Sequence, residues 1–151
     1  MAGIDSQDSV MPKGQLLEER LTRSVIGAFY EVYNTLGFGF LERLYVKALE
    51  IELRERGHKV VREYRVCVMY KGHELGTQRM DLIVDDKLIV ETKSTYKMNK
   101  ISIRQTYNYL KSTNIEVGMV LHFGPEAKFY RLVCTANEKR PVKSAQSVES
   151  A

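Results

Sequence analysis

Residues 79–93, which read RMDLIVDDKLIVETK, constrain the fold more than any other part of this chain of 151 residues. The segment contains two apolar runs, 80–84 and 88–93, separated by the turn-forming residues Asp85 and Asp86. Two short apolar runs joined by a polar turn predict a pair of adjacent β-strands. The charged residues at the open end of this pair then lie close to one another.

Three charged side chains mark that open end, namely Asp81, Glu91 and Lys93. Side chains alternate across a strand, so Glu91 and Lys93 share one face, and strand pairing can bring Asp81 onto it. Carboxylates are costly to bury unless they bind something, and hard oxygen ligands suit Mg²⁺ or Mn²⁺. The segment by itself leaves a second interpretation open, in which Glu91 and Lys93 form a solvated cross-strand ion pair.

A helix with an acid in its first turn is predicted upstream. The run FLERLYVKALEIELRERG has helical periodicity, and Gly37 and Gly39 interrupt the chain just before it. Glu42 then lies at the helix N-terminus, where the helix dipole favours a carboxylate, and Tyr45 is its i,i+3 neighbour. This segment equally allows a helix-dipole glutamate beside a tyrosine of the core.

A second short helix is predicted downstream, over residues 102–113. Gln105 and Tyr109 are spaced i,i+4 and share a face of it. The competing interpretation is that Ser102 and Gln105 form a capping box, with Gln105 bonded back to the backbone of Ser102. Tyr109 is then an ordinary core residue.

These residues together resemble the PD-(D/E)XK nuclease superfamily. The resemblance is carried, in the expected order, by Glu42, Asp81, Glu91-x-Lys93 and Gln105-x-x-x-Tyr109. The last pair is similar to the QxxxY motif of the RecB-like branch, and Gly39-x-x-Glu42-x-x-Tyr45 is similar to the signature of the GxxExxY family. The similarity extends from about residue 16 to 133, and Met80 stands where the name motif has proline.

The resemblance implies a role for each of these residues. Asp81 and Glu91 are expected to be ligands of Mg²⁺ or Mn²⁺, with Glu42 completing the metal site and Lys93 as the catalytic lysine. The residues expected to contact substrate are Gln105, Tyr109 and Tyr45. The implied activity is hydrolysis of phosphodiester bonds in nucleic acid, with DNA preferred. The alternative is a non-catalytic nucleic-acid-binding or regulatory subunit on the same fold.

Composition and patterning predict one nuclease-like domain over residues 15–134. Residues 1–14 and 135–151 are polar and are expected to be a disordered N-terminal tail and a flexible C-terminal tail. Hydrophobic residues make up 44% of the chain, which is typical of globular proteins, and the net charge of +4 permits a polyanionic partner. The two cysteines, Cys67 and Cys134, lack ligand spacing and are typical of reduced thiols.

The predicted elements are two helices, three strands, a helix and two strands. This order contains the αβββαβ core of the restriction-endonuclease-like fold, an α/β architecture with a mixed sheet flanked by helices. No apolar run is long enough to span a membrane and no leader is evident, so a cytoplasmic location is expected. The expected partners are nucleic acid and either a second copy of the chain or another protein. Backbone phosphates are expected to contact Arg43, Lys47, Lys97, Lys100 and Arg104.

Overall fold

A computed structural model describes residues 16–139 and 146–148. Within them the chain forms three α-helices and six β-strands in the order α1 (Glu19–Leu36), α2 (Glu42–Glu55), β1 (Val60–Tyr70), β2 (His73–Val84), β3 (Leu88–Lys93), α3 (Lys100–Lys111), β4 (Val117–Phe123), β5 (Ala127–Val133) and β6 (Gln146–Val148). A 3₁₀-helix, Ala136–Glu138, precedes β6. The N-terminal tail predicted over residues 1–14 lies outside the described residues.

Glycines set the boundaries of the first two helices. Gly37 ends α1 with a φ of 75°, and its N–H donates to the carbonyl of Tyr33. Gly57 follows the end of α2 with a φ of 91°. Both values lie in the left-handed region, which glycine adopts without the penalty that a Cβ imposes. The helix α2 begins at Glu42, which confirms the prediction that Glu42 lies in its first turn.

The six strands form one mixed sheet with the order β5-β4-β3-β2-β1-β6. All neighbouring pairs are antiparallel except β3 and β4, which are parallel and are connected through α3. Helices pack on both faces of this sheet. The structure therefore confirms the α/β class, the mixed sheet flanked by helices, and the αβββαβ order, which runs from α2 to β4.

Two apolar layers enclose the sheet. On one face α1 and α2 pack against alternate residues of the central strands, including Leu82, Val90 and Leu121. On the other face α3 contributes Leu110, which packs with Ile83 and Ile89. The residues at 81, 91 and 93 follow the alternation of this second group, so they belong to the face that α3 covers.

The stretch predicted to be a flexible C-terminal tail contains regular structure. The 3₁₀-helix has a capping box in which the Thr135 side chain and Glu138 bond each other's backbone. Strand β6 adds to the edge of the sheet beside β1, with Arg65 opposite Val148. A polar sequence was the basis of the prediction, but strand addition uses backbone groups that every residue carries. None of the helices in the described residues is long and apolar enough to cross a membrane.

A chain of hydrogen bonds ties α1 to the sheet. The Nε2 atom of His58 lies 2.7 Å from the Ser24 hydroxyl, and its Nδ1 atom lies 2.7 Å from Asp85 Oδ2. The other oxygen of Asp85 accepts the N–H of Lys59 at 2.8 Å. Burial raises the pKa of Asp85, but the bonds from His58 and Lys59 outweigh burial, so the net pKa is lowered. We assign this cluster a structural role, because it joins a helix, a strand start and the β2–β3 turn.

Replacing Asp85 with Asn should destabilise the protein by about 1–2 kcal/mol at pH 7, because hydrogen bonds to a charged acceptor are stronger than those to an amide. A carboxyl whose pKa is lowered by folding stabilises the fold above its unfolded pKa, and this stabilisation is lost as the pH falls. The difference between variant and parent should therefore shrink below about pH 4. Urea unfolding at neutral and acidic pH measures it, and a difference that grows on acidification would contradict the role given to Asp85.

Candidate active site

At the open end of β2 and β3, backbone N–H groups donate to the side-chain carboxylates of Asp81 and Glu91, where regular strand pairing would use backbone carbonyls. Regular pairing of these strands runs from Val84 opposite Leu88 to Leu82 opposite Val90. The next pair in this register is Asp81 and Glu91, whose side chains then share a face. Here the N–H of Asp81 donates to Glu91 Oε2 at 2.9 Å.

The reciprocal bond comes from the residue after Glu91. The N–H of Thr92 donates to Asp81 Oδ2 at 2.9 Å, and the Thr92 hydroxyl donates to the same oxygen at 3.2 Å. Each carboxylate therefore accepts a hydrogen bond from the strand opposite its own. This crossed pair fixes both side chains between the strand ends with one oxygen each.

The second oxygens, Asp81 Oδ1 and Glu91 Oε1, accept no hydrogen bond from the described residues. Two anchored carboxylates with an uncommitted oxygen each match what Mg²⁺ commonly uses, since this ion is held by one or two carboxylates and keeps several waters. In the described part of the chain, no three acidic, histidine or cysteine side chains already converge on one ion position. The donor set thus fits a metal bound by two carboxylates and water, with Glu42 as a further acid whose charge acts on the pKa of both.

Burial and like charge raise the pKa of both carboxyl groups. Glu91 is 6% exposed, and burial, followed by repulsion from Asp81, raises its pKa well above the ordinary value. For Asp81, burial raises the pKa, while the Thr92 bonds lower it in part. Glu42 raises and Lys93 lowers the pKa of both. These four side chains therefore form one electrostatic cluster, as expected of a site that holds a cation.

Lys93 stands apart from the carboxylates it influences. It is half-buried, and among the described residues no carboxylate oxygen lies within 4.0 Å of its ammonium nitrogen. Its charge nevertheless lowers the pKa of Asp81 and of Glu91. The Lys93 ammonium therefore remains available to a phosphate or a water beside the carboxylates.

Glu42 enters the cluster from α2. It is the first residue of that helix, and its Oε2 atom accepts the N–H of Ser94 at 3.3 Å, just after the end of β3. The Ser94 hydroxyl donates to the carbonyl of Phe40 at 2.5 Å. Two bonds from one serine thus hold the start of α2 against the end of β3.

A cleft of about 460 Å³ opens beside Glu42 and Asp81. Its remaining lining residues include four cations and one further acid: Arg43, Lys47, Arg62, Arg79 and Glu63. Arg43 and Lys47 were predicted from the sequence to contact phosphate, whereas Arg62, Arg79 and Glu63 were missed. Strand register could have indicated them, since Arg79 lies opposite Arg65 and Arg62 opposite Leu82, next to Asp81.

Tyr45 does not line this cleft. Its side chain is 0% exposed and stacks on Phe123, with ring centroids 3.9 Å apart and planes 14° apart. Its hydroxyl donates to the carbonyl of Gly37 and accepts the N–H of Phe40. This burial contradicts the expectation that Tyr45 contacts substrate. Instead, Tyr45 fixes the turn between α1 and α2, and so acts on the position of Glu42.

The helix α3 brings Tyr109 to the cluster. Burial, with the charges of Glu91 and Asp81, raises the pKa of Tyr109 to about 12, so its hydroxyl remains a hydrogen-bond donor at neutral pH. Gln105 is on the same face of the helix, is exposed, and makes no hydrogen bond within the described residues. Gln105 is therefore free to meet a bound ligand.

The competing interpretation, in which Ser102 and Gln105 form a capping box, is wrong. The N-cap of α3 is Asn99, whose side chain accepts the N–H of Ile101 at 3.0 Å. Ser102 is consequently inside the helix, where its carbonyl accepts the Thr106 hydroxyl at 2.9 Å. Asparagine is as good an N-cap as serine, and its earlier position sets the helix start.

Comparisons with known proteins place these observations in a family. Comparison with curated proteins found no match. A solved structure described as the crystal structure of SSO0001 is similar, with a TM-score of 0.46 and 16% sequence identity over 77% of this chain and 58% of that one. The chain thus spans less than two thirds of that protein's length. A profile of the PD-(D/E)XK nuclease superfamily matches residues 19–132, most of the chain, and this protein belongs to that superfamily.

Proposed function

We propose that this protein is a metal-dependent nuclease that hydrolyses phosphodiester bonds in DNA. The observation that carries the proposal is the crossed pair of carboxylates. Asp81 and Glu91 are each held by a backbone N–H of the other strand, and each keeps one oxygen without a hydrogen bond among the described residues. The narrower assignments, to the GxxExxY family and the RecB-like branch, belong to the same proposal.

In this mechanism Asp81 and Glu91 hold Mg²⁺ or Mn²⁺, and Glu42 completes the site directly or through a water. The ion supplies activation of the attacking water and neutralisation of charge on the scissile phosphate. The raised pKa values of the two carboxyl groups match this role, because two buried acids side by side are poorly stabilised until a cation compensates them.

Lys93 orients the attacking water or stabilises the charge that develops on the phosphate. The water oxygen forms a bond to phosphorus, the bond to the leaving sugar oxygen breaks, and the departing oxygen takes a proton. This reaction adds one water and involves no change of oxidation state. The position of Lys93 outside any salt bridge among the described residues supports this role, since a paired ammonium would be less available.

The polynucleotide backbone lies, in this proposal, along the cations of the cleft, while Gln105 and Tyr109 contact it from α3. Arg43, Lys47 and Arg79 supply charge for phosphates without reading base sequence. Phosphate contacts are common to DNA and RNA, so the first assay includes both. The proposal also includes an intracellular location and a partner, which is either a second copy of the chain or another protein.

The full chain, incubated with labelled single- and double-stranded DNA and RNA, should cleave DNA in the presence of Mg²⁺ or Mn²⁺. EDTA should abolish this cleavage, because the carboxylates cannot compensate the charge of the scissile phosphate by themselves. Binding without cleavage on every substrate would instead identify a nucleic-acid-binding or regulatory protein, which is the alternative function.

Replacing Lys93 with Ala should lower the rate of cleavage by about 10²–10³-fold, the usual effect of removing one charge-stabilising group. Binding of Mn²⁺ and of nucleic acid should be largely retained. Asp81→Asn should instead weaken Mn²⁺ binding, because a neutral amide removes charge that holds a hard cation. Calorimetry with Mn²⁺ and a cleavage assay on the same preparations separate the two effects.

Lys87→Ala is the matched control, since Lys87 is an exposed lysine at the opposite end of β3. It should cleave like the parent protein. If Lys93→Ala also cleaves like the parent, the mechanism given for Lys93 is wrong, although the family assignment is unaffected.

Glu91→Gln should stabilise the metal-free protein by about 1 kcal/mol or more at pH 7, as removal of a strained functional charge commonly does. A carboxyl with a raised folded pKa stabilises the fold below its unfolded value of 4.5, and this contribution is lost as the pH rises. The difference between variant and parent should thus grow with pH. Thermal unfolding with EDTA measures it.

Added Mg²⁺ should stabilise the parent and have little effect on Glu91→Gln, since a ligand stabilises only a folded state that binds it. Glu31→Gln, on the exposed side of α1, serves as the control and should change stability by less than about 0.5 kcal/mol. A metal-free Glu91→Gln protein that is less stable than the parent at neutral pH would contradict the view that Glu91 is an uncompensated charge.

A further inference from the structure

Four large apolar side chains are exposed next to the carboxylate cluster. Phe38 is 43% exposed, Phe40 45%, Leu41 59% and Tyr96 74%. The first three come from the turn between α1 and α2, and Tyr96 comes from the segment between β3 and α3. The rings of Phe38 and Tyr96 lie 6.3 Å apart, and together the four residues line a concavity of about 490 Å³. We call this surface the apolar ledge.

The apolar ledge is held in place from below. The hydroxyl of Tyr45 bonds both the carbonyl of Gly37 and the N–H of Phe40, and the rings of Phe40 and Tyr45 meet edge to face. The Ser94 hydroxyl donates to the carbonyl of Phe40. These contacts fix the backbone of the turn while its apolar side chains face solvent. Exposed apolar side chains grouped on an anchored turn are typical of a binding surface.

Cations lie on both sides of the apolar ledge. Glu42 lines both the concavity and the basic cleft that contains Arg43 and Lys47. Tyr96 lines both the concavity and a further cleft that contains Lys97 and Lys128. These three surfaces therefore form one track. The basic cleft adjoins the concavity of the apolar ledge at Glu42, and the concavity adjoins the second lysine-containing cleft at Tyr96.

We propose that the apolar ledge stacks unpaired bases, and that the proposed nuclease site consequently selects single-stranded DNA over duplex. The proposal rests on the proposed function and names its substrate class. Proteins that bind single strands combine a positively charged groove for the backbone with aromatic side chains for the bases. In a duplex the bases stack on each other and their faces are covered, so exposed rings offer a duplex little. The order of charge and rings along the track matches a single strand.

The test uses fluorescence anisotropy with a labelled oligothymidine of about 15 nucleotides and a duplex of equal length. Binding is measured in EDTA, and again with Mg²⁺ in the Lys93→Ala background, so that cleavage is not required. The parent should bind the single strand more tightly than the duplex. Tyr96→Ala should weaken single-strand binding by roughly 5- to 100-fold, the range found when a stacking ring is removed. Tyr96→Phe should bind like the parent.

Two further measurements separate stacking from a loss of charge or structure. The salt dependence of single-strand binding should be unchanged in Tyr96→Ala, because no phosphate contact is removed. On an oligonucleotide with abasic sites, the parent should bind weakly and Tyr96→Ala should cause no further loss. The matched control is Tyr70→Ala, since Tyr70 is an exposed tyrosine at the β1–β2 turn, 59% exposed, and it should bind like the parent.

The proposal would be overturned if Tyr96→Ala weakened binding to single strand and to duplex by the same factor. It would also be overturned if Tyr96→Ala weakened binding to the abasic strand as much as binding to the intact single strand. A parent that sediments as a dimer, with a monomeric Tyr96→Ala that keeps full single-strand affinity, would show the apolar ledge to be a contact between copies and would also overturn it. These failures leave the proposed function intact if the parent still cleaves DNA with Mg²⁺. A parent that neither binds nor cleaves any strand overturns both proposals.

Discussion

The exchange of hydrogen bonds between Asp81 and Glu91 is the interaction on which the site depends. At the end of β2 and β3, two side-chain carboxylates accept backbone N–H groups that would otherwise bond carbonyls. The sheet can open there without leaving those donors unsatisfied, which would be costly in a buried position. The same bonds hold two acids side by side in a poorly solvated place. The backbone thus stabilises an arrangement that electrostatics alone would disfavour.

The turn between α1 and α2 connects this arrangement to the surface of the protein. Tyr45 contributes no atom to the cleft, but its stacking on Phe123 and its hydrogen bonds to Gly37 and Phe40 fix the start of α2. Glu42 is the first residue after this turn, and Ser94 links it to the end of β3. The anchored turn therefore fixes the position of Glu42, the acid that faces the cluster, and the positions of the exposed rings of Phe38 and Phe40 beside it.

Local sequence patterns gave good predictions for the helices and strands that carry the site residues. They failed for features that are set by contacts between distant parts of the chain. The strand 88–93 and the position of Glu42 in the first turn of α2 were predicted as they are observed, because apolar periodicity and glycine positions are local properties. Tyr45 was misplaced, since nothing in a helical pattern distinguishes a ring that faces the core from one that faces a cleft. The start of α3 was misjudged because two residues competed to cap it. Strand β6 was missed because its partner is more than 70 residues away in the chain.

By itself, the sequence determined which residue types stand at strand ends and helix starts, and hence that Asp81, Glu91, Lys93 and Glu42 could meet. Periods of two and 3.6 suffice for that, because they depend only on backbone geometry. The tertiary structure decided the register that sets Asp81 opposite Glu91, the oxygens that backbone N–H groups occupy, and the burial that raises both pKa values. It also decided that Tyr45 is covered and Tyr96 exposed. These properties depend on atoms brought together from distant parts of the chain, which no local pattern contains.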